Sequence, residues 1–148
     1  MSVLNQGNCY CGSCEPKSNN EKILTIIWQR LISDGSTCPR CGATEDELSR
    51  ALEQLRKALE ALEIKVELHK NELSLTEFKK NPVKSNAIFF NGTPLEDLIG
   101  AQTGQSQCCD VCGDEECRTL ELNGSTYETI PAEMILKAGL IAGVRMIE

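Results

Sequence analysis

Nine cysteines, Cys9, Cys11, Cys14, Cys38, Cys41, Cys108, Cys109, Cys112 and Cys117, carry most of the chemistry available to this chain. Cys38-Pro39-Arg40-Cys41-Gly42 is a C-x-x-C pair between an apolar run and a helical pattern, the setting of a redox dithiol. Two intervening residues let the sulfurs meet in a small ring. At a helix amino terminus the partial positive charge stabilises a thiolate at Cys38. Arg40 adds a full positive charge nearby. A lowered pKa raises the thiolate fraction and improves the sulfur as a leaving group. Cys38 is then the nucleophile and Cys41 the buried resolving thiol.

The same residues support another reading. Thr44-Glu45-Asp46-Glu47 has the capping-box pattern, which starts the helix at Glu45. Gly42 within a helix costs about 1 kcal/mol relative to alanine. CPRCG is then a loop ahead of the helix, shaped like a zinc knuckle whose glycine lets backbone N–H groups turn toward a thiolate. Redox chemistry, metal ligation and idle thiols all remain open for this pair.

Cys108 to Cys117 (CCDVCGDEEC) places four thiols within ten residues and repeats the C-x-x-C-G form at Cys109 to Gly113. Two such pairs supply the four sulfurs of a tetrahedral zinc site. The usual gap between them is roughly 15–20 residues, whereas 67 residues separate Cys41 from Cys109. A simple zinc ribbon therefore fits poorly, although loops at one end of a sheet can converge. Alternatively Cys109, Cys112 and Cys117, with or without Cys108, bind a soft ion such as Zn, Cu(I) or a trivalent arsenical. A relay exchanging disulfides with Cys38 and Cys41 is a third option, and a metal staple for a long loop is the plainest. Cys9, Cys11 and Cys14 lie in an Asn-, Gly- and Ser-rich stretch over 1–20, expected to be a mobile tail, where they either form a third thiol group or ligate metal only opportunistically. His69, the only histidine, falls on the polar side of an alternating strand and is expected to be exposed. Trp28 is expected to pack in the core.

These groups need elements to position them. The fold is expected to occupy 21–148, with a cysteine-rich insert over 100–117. Ile23 to Ile32 is apolar on both faces and reads as a buried central strand. Leu48, Ala51, Leu52, Leu55, Leu59 and Leu62 form a helical stripe, with Glu47, Arg50, Glu53, Arg56, Lys57 and Glu60 on the solvated face. Ile64 to Leu68 alternates as a half-exposed strand. Ser74-Leu75-Thr76-Glu77 is a capping box opening a short helix that ends before Pro82. Ala87 to Phe90 is a buried strand closed by an Asn91-Gly92 turn, and Pro94 opens another helix. Residues 100–117 read as a loop. Thr119 to Leu122 and Ser125 to Ile130 flank Asn123-Gly124 as a hairpin. Pro131 opens a last helix with Ile135, Leu136 and Leu140 inward, where Gly139 and Gly143 allow close approach. The β-α-β start implies parallel strands, and a closing hairpin and helix on the same sheet complete a thioredoxin plan. The expected class is α/β, thioredoxin-like, with a mixed sheet of four to five strands flanked by helices.

Composition narrows the function. At 148 residues and 41% hydrophobic, the chain can bury a core without disulfides. A net charge of −7 opposes phosphate-backbone binding, and 4% aromatic residues leave little for base stacking, so nucleic acid is not expected as a partner. No apolar run reaches the roughly 20 residues that span a bilayer, and the amino terminus lacks a signal-peptide h-region. A cytoplasmic location follows as the expectation, where structural disulfides are disfavoured. No GxGxxG or GxxxxGK[ST] phosphate loop is present.

From Ile23 to Ile147 the chain resembles a prokaryotic domain-of-unknown-function family with a thioredoxin-like fold. The matching stretches are Thr37 to Gly42 (TCPRCG), Ser85 to Gly92 (SNAIFFNG) with Pro94-Leu95-Glu96, Cys108 to Thr119 and Tyr127 to Leu140. That resemblance implies a fold and no established activity. The chain is more weakly similar to glutaredoxins, which carry a CPxC site and a strand ending in a similar FxNG. Glutaredoxins and thioredoxins place a cis-proline just before that strand, beside the reactive sulfur. Asn86 stands there in this chain, and a trans bond is expected because a non-proline cis peptide costs several kcal/mol. In that superfamily cis-proline helps exclude metal from the dithiol, so its loss favours metal binding or altered redox behaviour.

The leading expectation is a thiol-disulfide oxidoreductase acting on a protein or small-molecule disulfide. Cys38, Cys41 and Arg40 form its site, and the second cluster assists. The alternatives are a non-catalytic soft-metal or metalloid binder using Cys108, Cys109, Cys112 and Cys117, and an interaction module held together by zinc.

Overall fold

The structure, a computed structural model, describes residues 21–32, 39–81, 84–107 and 116–148. Strand β1 (Lys22–Leu31) buries Leu24, Ile26 and Trp28 completely, while Ile23, Thr25, Ile27 and Gln29 on the alternate face are half-buried. The strand is therefore covered more fully on one face than its apolar sequence suggests. Helix α1 (Pro39–Glu60) follows, with Leu48, Ala51, Leu52, Leu55 and Leu59 buried along one stripe. Each such leucine contributes roughly 1.5–3 kcal/mol by leaving water. Leu62, expected on that stripe, lies past the helix end and is exposed. The chain turns there through Glu63 at φ 59°, whose N–H donates to the Glu60 carbonyl.

Strand β2 (Ile64–Leu73) runs parallel to β1 in register from Lys22↔Ile64 to Leu31↔Leu73. It is five residues longer than the alternating pattern predicts. Ser74 caps α2 (Leu75–Lys80) with both bonds of a capping box, and Phe78 is buried from that helix. Strand β3 (Ala87–Phe90) pairs antiparallel with β1, then turns through Asn91 (φ 52°) and Gly92 (φ 88°) into the two-residue β4 (Thr93–Pro94). Two successive positive φ values are what a type I′ hairpin turn demands. Asn91 also closes onto β1: the Thr25 N–H donates to its Oδ1 at 2.9 Å. The sheet order is β2-β1-β3-β4.

Three further strands form a separate antiparallel sheet in the order β5-β6-β7, comprising β5 (Gln102–Gln107), β6 (Glu116–Leu122) and β7 (Ser125–Tyr127). Helix α3 (Leu95–Ile99) leads into it through Gly100, left-handed at φ 76°. This departs from the sequence reading in two ways. Residues 102–107 form a strand where a loop is expected. The Asn123-Gly124 hairpin belongs to the second sheet, so the hairpin that closes the main sheet is β3–β4. Leu120 of β6 nonetheless joins the same hydrophobic cluster as Trp28 and Leu55. An ion pair between Arg118 of β6 and Glu96, both largely buried, ties the second sheet to helix α3.

Helix α4 (Ala132–Arg145) completes the fold and packs on α1. A β-carbon on Gly139 would stand 2.5 Å from a methyl of Leu55, and one on Gly143 2.7 Å from a methyl of Leu59. The glycines thus let the helices approach as expected. The inward residues are Met134, Ile135, Ala138 and Ala142, whereas Leu136 and Leu140 are half-buried. Contacts advance together along both helices, Leu55 on Gly139 and then Leu59 on Gly143, so the helices run in the same direction. The result is a mixed α/β fold with a four-stranded mixed sheet flanked by helices, compatible with the thioredoxin-like plan. Among the described residues, no helix is long and apolar enough to cross a membrane.

Candidate thiol site

Helix α1 begins at Pro39, directly after Cys38. Of the two readings of this stretch, the one that starts the helix at Glu45 with CPRCG as a loop ahead of it is therefore corrected. Residues 39–42 form its first turn, and the side chain of Cys41 there is 2% exposed. Gly42 sits inside the helix; among the described residues, nothing comes within 4 Å of a β-carbon built on it. Close packing therefore does not explain the glycine.

The capping signature misleads because both of its side chains bond to distant parts of the chain. Thr44, fully buried, accepts the backbone N–H of Ile130 at 3.2 Å and Nδ2 of Asn86 at 3.0 Å. Glu47 accepts the backbone N–H of Ala132 at 2.8 Å, satisfying one of the orphan donors in the first turn of α4. That bond, foremost, holds the Glu47 carboxyl below its ordinary pKa, with Arg50 assisting through its ion pair. The amino-terminal parts of α1 and α4 are thus fastened side by side.

Asn86 links this fastening to the sheet. Its Oδ1 accepts Trp28 Nε1–H at 3.1 Å, so one buried carboxamide joins the central strand to Thr44 of α1, and Thr44 in turn holds the entry to α4. Its backbone is left-handed at φ 53°, and the described residues contain no cis peptide bond. The trans bond expected at the proline-substituted position is therefore present.

Trp28 is also flanked by cations. The Arg30 guanidinium lies 4.9 Å and the Lys70 ammonium 6.0 Å from its ring centroid. Such contacts contribute about 0.5–2 kcal/mol, depending on desolvation. Arg30 pairs with Glu72 of β2 at 4.0 Å, and Lys70 of β2 pairs with Glu45 of α1. The second bridge again joins the beginning of α1 to the far end of the parallel strands.

The remaining expected residues divide as follows. Cys38, Cys108, Cys109, Cys112 and the tail cysteines Cys9, Cys11 and Cys14 lie outside the described residues. Arg40 is placed by its backbone in the first turn of α1, and Cys117 by its backbone on β6 opposite Ser106. Pairing of β5 with β6 ends at Gln107↔Glu116, so segment 108–115 joins two adjacent strands. His69 is exposed on β2, 3.6 Å from the Glu67 carboxylate. Among the described residues, no group of three His, Cys, Asp or Glu side chains is arranged to hold a metal. Sequence reasoning missed the joint role of Trp28, Thr44 and Asn86. The signal available was a Thr and an Asn at positions where an α/β core is normally apolar.

The family described as a domain of unknown function, DUF2703, matches residues 24–139 of this chain. That span includes both internal cysteine clusters. A curated relative from Archaeoglobus fulgidus, named only as an uncharacterized protein, is 45% identical over 112 residues. The match covers 76% of this chain and 82% of the relative. No solved structure matches.

Proposed function

We propose that this chain, which belongs to the DUF2703 family of domains of unknown function, is a thiol-based redox protein whose Cys38 and Cys41 cycle between dithiol and disulfide. The observation that carries this reading is the start of α1 at Pro39, with Cys41 buried in its first turn. A helix amino terminus presents unpaired N–H groups and a partial positive charge that stabilise a nearby thiolate, and α1 is 22 residues long. Such a setting lowers a thiol pKa below its usual value of about 8.5.

The Cys38 thiolate attacks one sulfur of a protein or small-molecule disulfide. The substrate S–S bond breaks, a mixed disulfide forms, and the first substrate thiolate leaves and takes up a proton. Cys41, losing its proton to solvent, attacks the Cys38 sulfur and expels the second thiolate. The substrate gains two electrons and the cysteine pair loses two. A dithiol reductant then restores the pair by the same exchange in reverse.

The reading is tested by dithiol-dependent reduction of a model disulfide. Cys38→Ser is expected to abolish catalysis with the circular-dichroism spectrum unchanged, and Cys41→Ser to accumulate the mixed disulfide. Undiminished turnover in Cys38→Ser would overturn the assignment.

A second reading draws on the β5–β6 pair. Its strands are registered up to Gln107↔Glu116, and Cys117 sits on β6 at the foot of the segment carrying Cys108, Cys109 and Cys112. Thiols held between fixed feet suit a soft ion such as Zn or Cu(I), or a trivalent arsenical. On this reading the chain purifies anaerobically with stoichiometric metal, and Cys112→Ser releases it. A cytoplasmic location fits either reading, because both need reduced thiols.

A further inference from the structure

We propose that Asn86 is a positioning residue for the thiol site: its carboxamide clamps the beginning of α1 to the sheet and thereby sets the reactivity of Cys41. The significance of this clamp for disulfide exchange rests on the redox reading above. The clamp itself stands on separate geometry.

Trp28 Nε1–H can only donate, so the oxygen of the Asn86 amide must face it. The amide nitrogen must then face Thr44, whose hydroxyl oxygen receives it together with the Ile130 N–H. The orientation of Asn86 is thus dictated by its partners. Its backbone imposes a second demand, since φ of 53° disfavours most side chains and is tolerated best by glycine and asparagine. Glycine would meet the backbone demand and make neither bond. Serine or threonine could bond and would strain the backbone. Asparagine meets both demands.

The clamp acts on Cys41 through the helix. Thr44 follows Cys41 by three residues, one turn away on the same face, and both are buried. The first turn of a helix frays most easily unless it is tied down. Fraying is the motion that would bring the Cys41 sulfur to an incoming reagent or a mixed disulfide. Holding Thr44 from the sheet side and from the α4 side limits how often that turn opens.

The test uses the full chain, with alkylation followed at each cysteine by peptide mass spectrometry under reducing conditions. Asn86→Gly removes both bonds and leaves the backbone unstrained. It is expected to raise the Cys41 alkylation rate at least tenfold and to speed amide exchange over 39–46. Gly143→Ala crowds Leu59 at the other end of the helix pair; it controls for general destabilisation and is expected to leave Cys41 within twofold of the native rate. Thr44→Val, which keeps the Asn86 bond to Trp28 but removes the acceptor of the Asn86 amide, is expected to fall between Asn86→Gly and the native chain. It serves as the deciding variant if Asn86→Gly does not fold. Native-like Cys41 protection in the deciding variant, or an equal rise in Gly143→Ala, overturns the clamp. Faster Cys41 alkylation in Asn86→Gly, with the native chain reducing no disulfide, would sink the redox reading alone. Intact disulfide reduction with Cys41 protection unmoved would sink the clamp alone.

Discussion

Helix α1 meets α4 twice, and the two meetings use different physics. Toward the amino ends, Thr44 and Glu47 accept the backbone N–H groups of Ile130 and Ala132. Toward the carboxyl ends, Leu55 and Leu59 lie on Gly139 and Gly143 without polar contact between those side chains and the glycines. Apolar contact is strong but non-directional, since it depends on area rather than angle. Hydrogen bonds contribute less net energy, yet they specify which atom faces which. The molecule places its directional contacts beside Cys41 and its area-driven contacts farther along the helix. This division suits a site where position matters more than adhesion.

The largest effect expected from breaking this comparison comes from the packing end. Leu55→Ala should cost about 2–5 kcal/mol in urea unfolding, through lost burial and the cavity left over Gly139. It should leave the alkylation rate of Cys41 near the native value when the protein is folded. Thr44→Val is expected to cost less, about 1–3 kcal/mol, by leaving the Asn86 amide and the Ile130 N–H without their acceptor. It should nevertheless expose Cys41 more than Leu55→Ala does. The reverse ranking of Cys41 exposure would end the division of labour between the two ends.

The smallest effect is a pH dependence. Glu47 is held below its ordinary pKa in the folded protein, chiefly by the Ala132 N–H. Its stabilising contribution is therefore complete above the unfolded carboxylate pKa of about 4.3 and is lost as pH falls through the lower folded value. Glu47→Gln should flatten the acid limb of the stability curve, measured by urea midpoints from pH 6 downward. An unchanged limb would mean that the Ala132 contact contributes nothing in solution.

The sequence was most readable where its signals were local. Ser74 and Glu77 form the capping box their spacing predicts. Asn91-Gly92 and Asn123-Gly124 both make positive-φ turns. Each signal is satisfied within a few residues, so no tertiary knowledge is needed. The failures share the opposite character. Gln102–Gln107 (QTGQSQ) contains no large apolar side chain, so no period marks it as a strand. Two Asn-Gly hairpins look equivalent in sequence, and only long-range packing decides which one closes the main sheet. Thr44 and Glu47 carry a local capping signature but bond to residues 85 and 86 positions away. At the thiol site, the C-x-x-C pair was visible at once. The Asn86 clamp was not, because its two partners, Trp28 and Thr44, lie 58 and 42 positions away in the chain.

The register of β5 with β6 has a consequence for how this protein can vary. Paired residues across an antiparallel ladder stand about 5 Å apart at their α-carbons, so the take-off and landing points of segment 108–115 are fixed by the strands at Gln107 and Glu116. Lengthening a segment between fixed points raises its closure entropy only logarithmically, by about 0.6 kcal/mol per doubling. The cysteine content and length of that crossing can therefore drift, or be replaced wholesale, while the scaffold beneath keeps its shape. The hairpin is a socket whose two ends stay put whatever sequence is fitted between them.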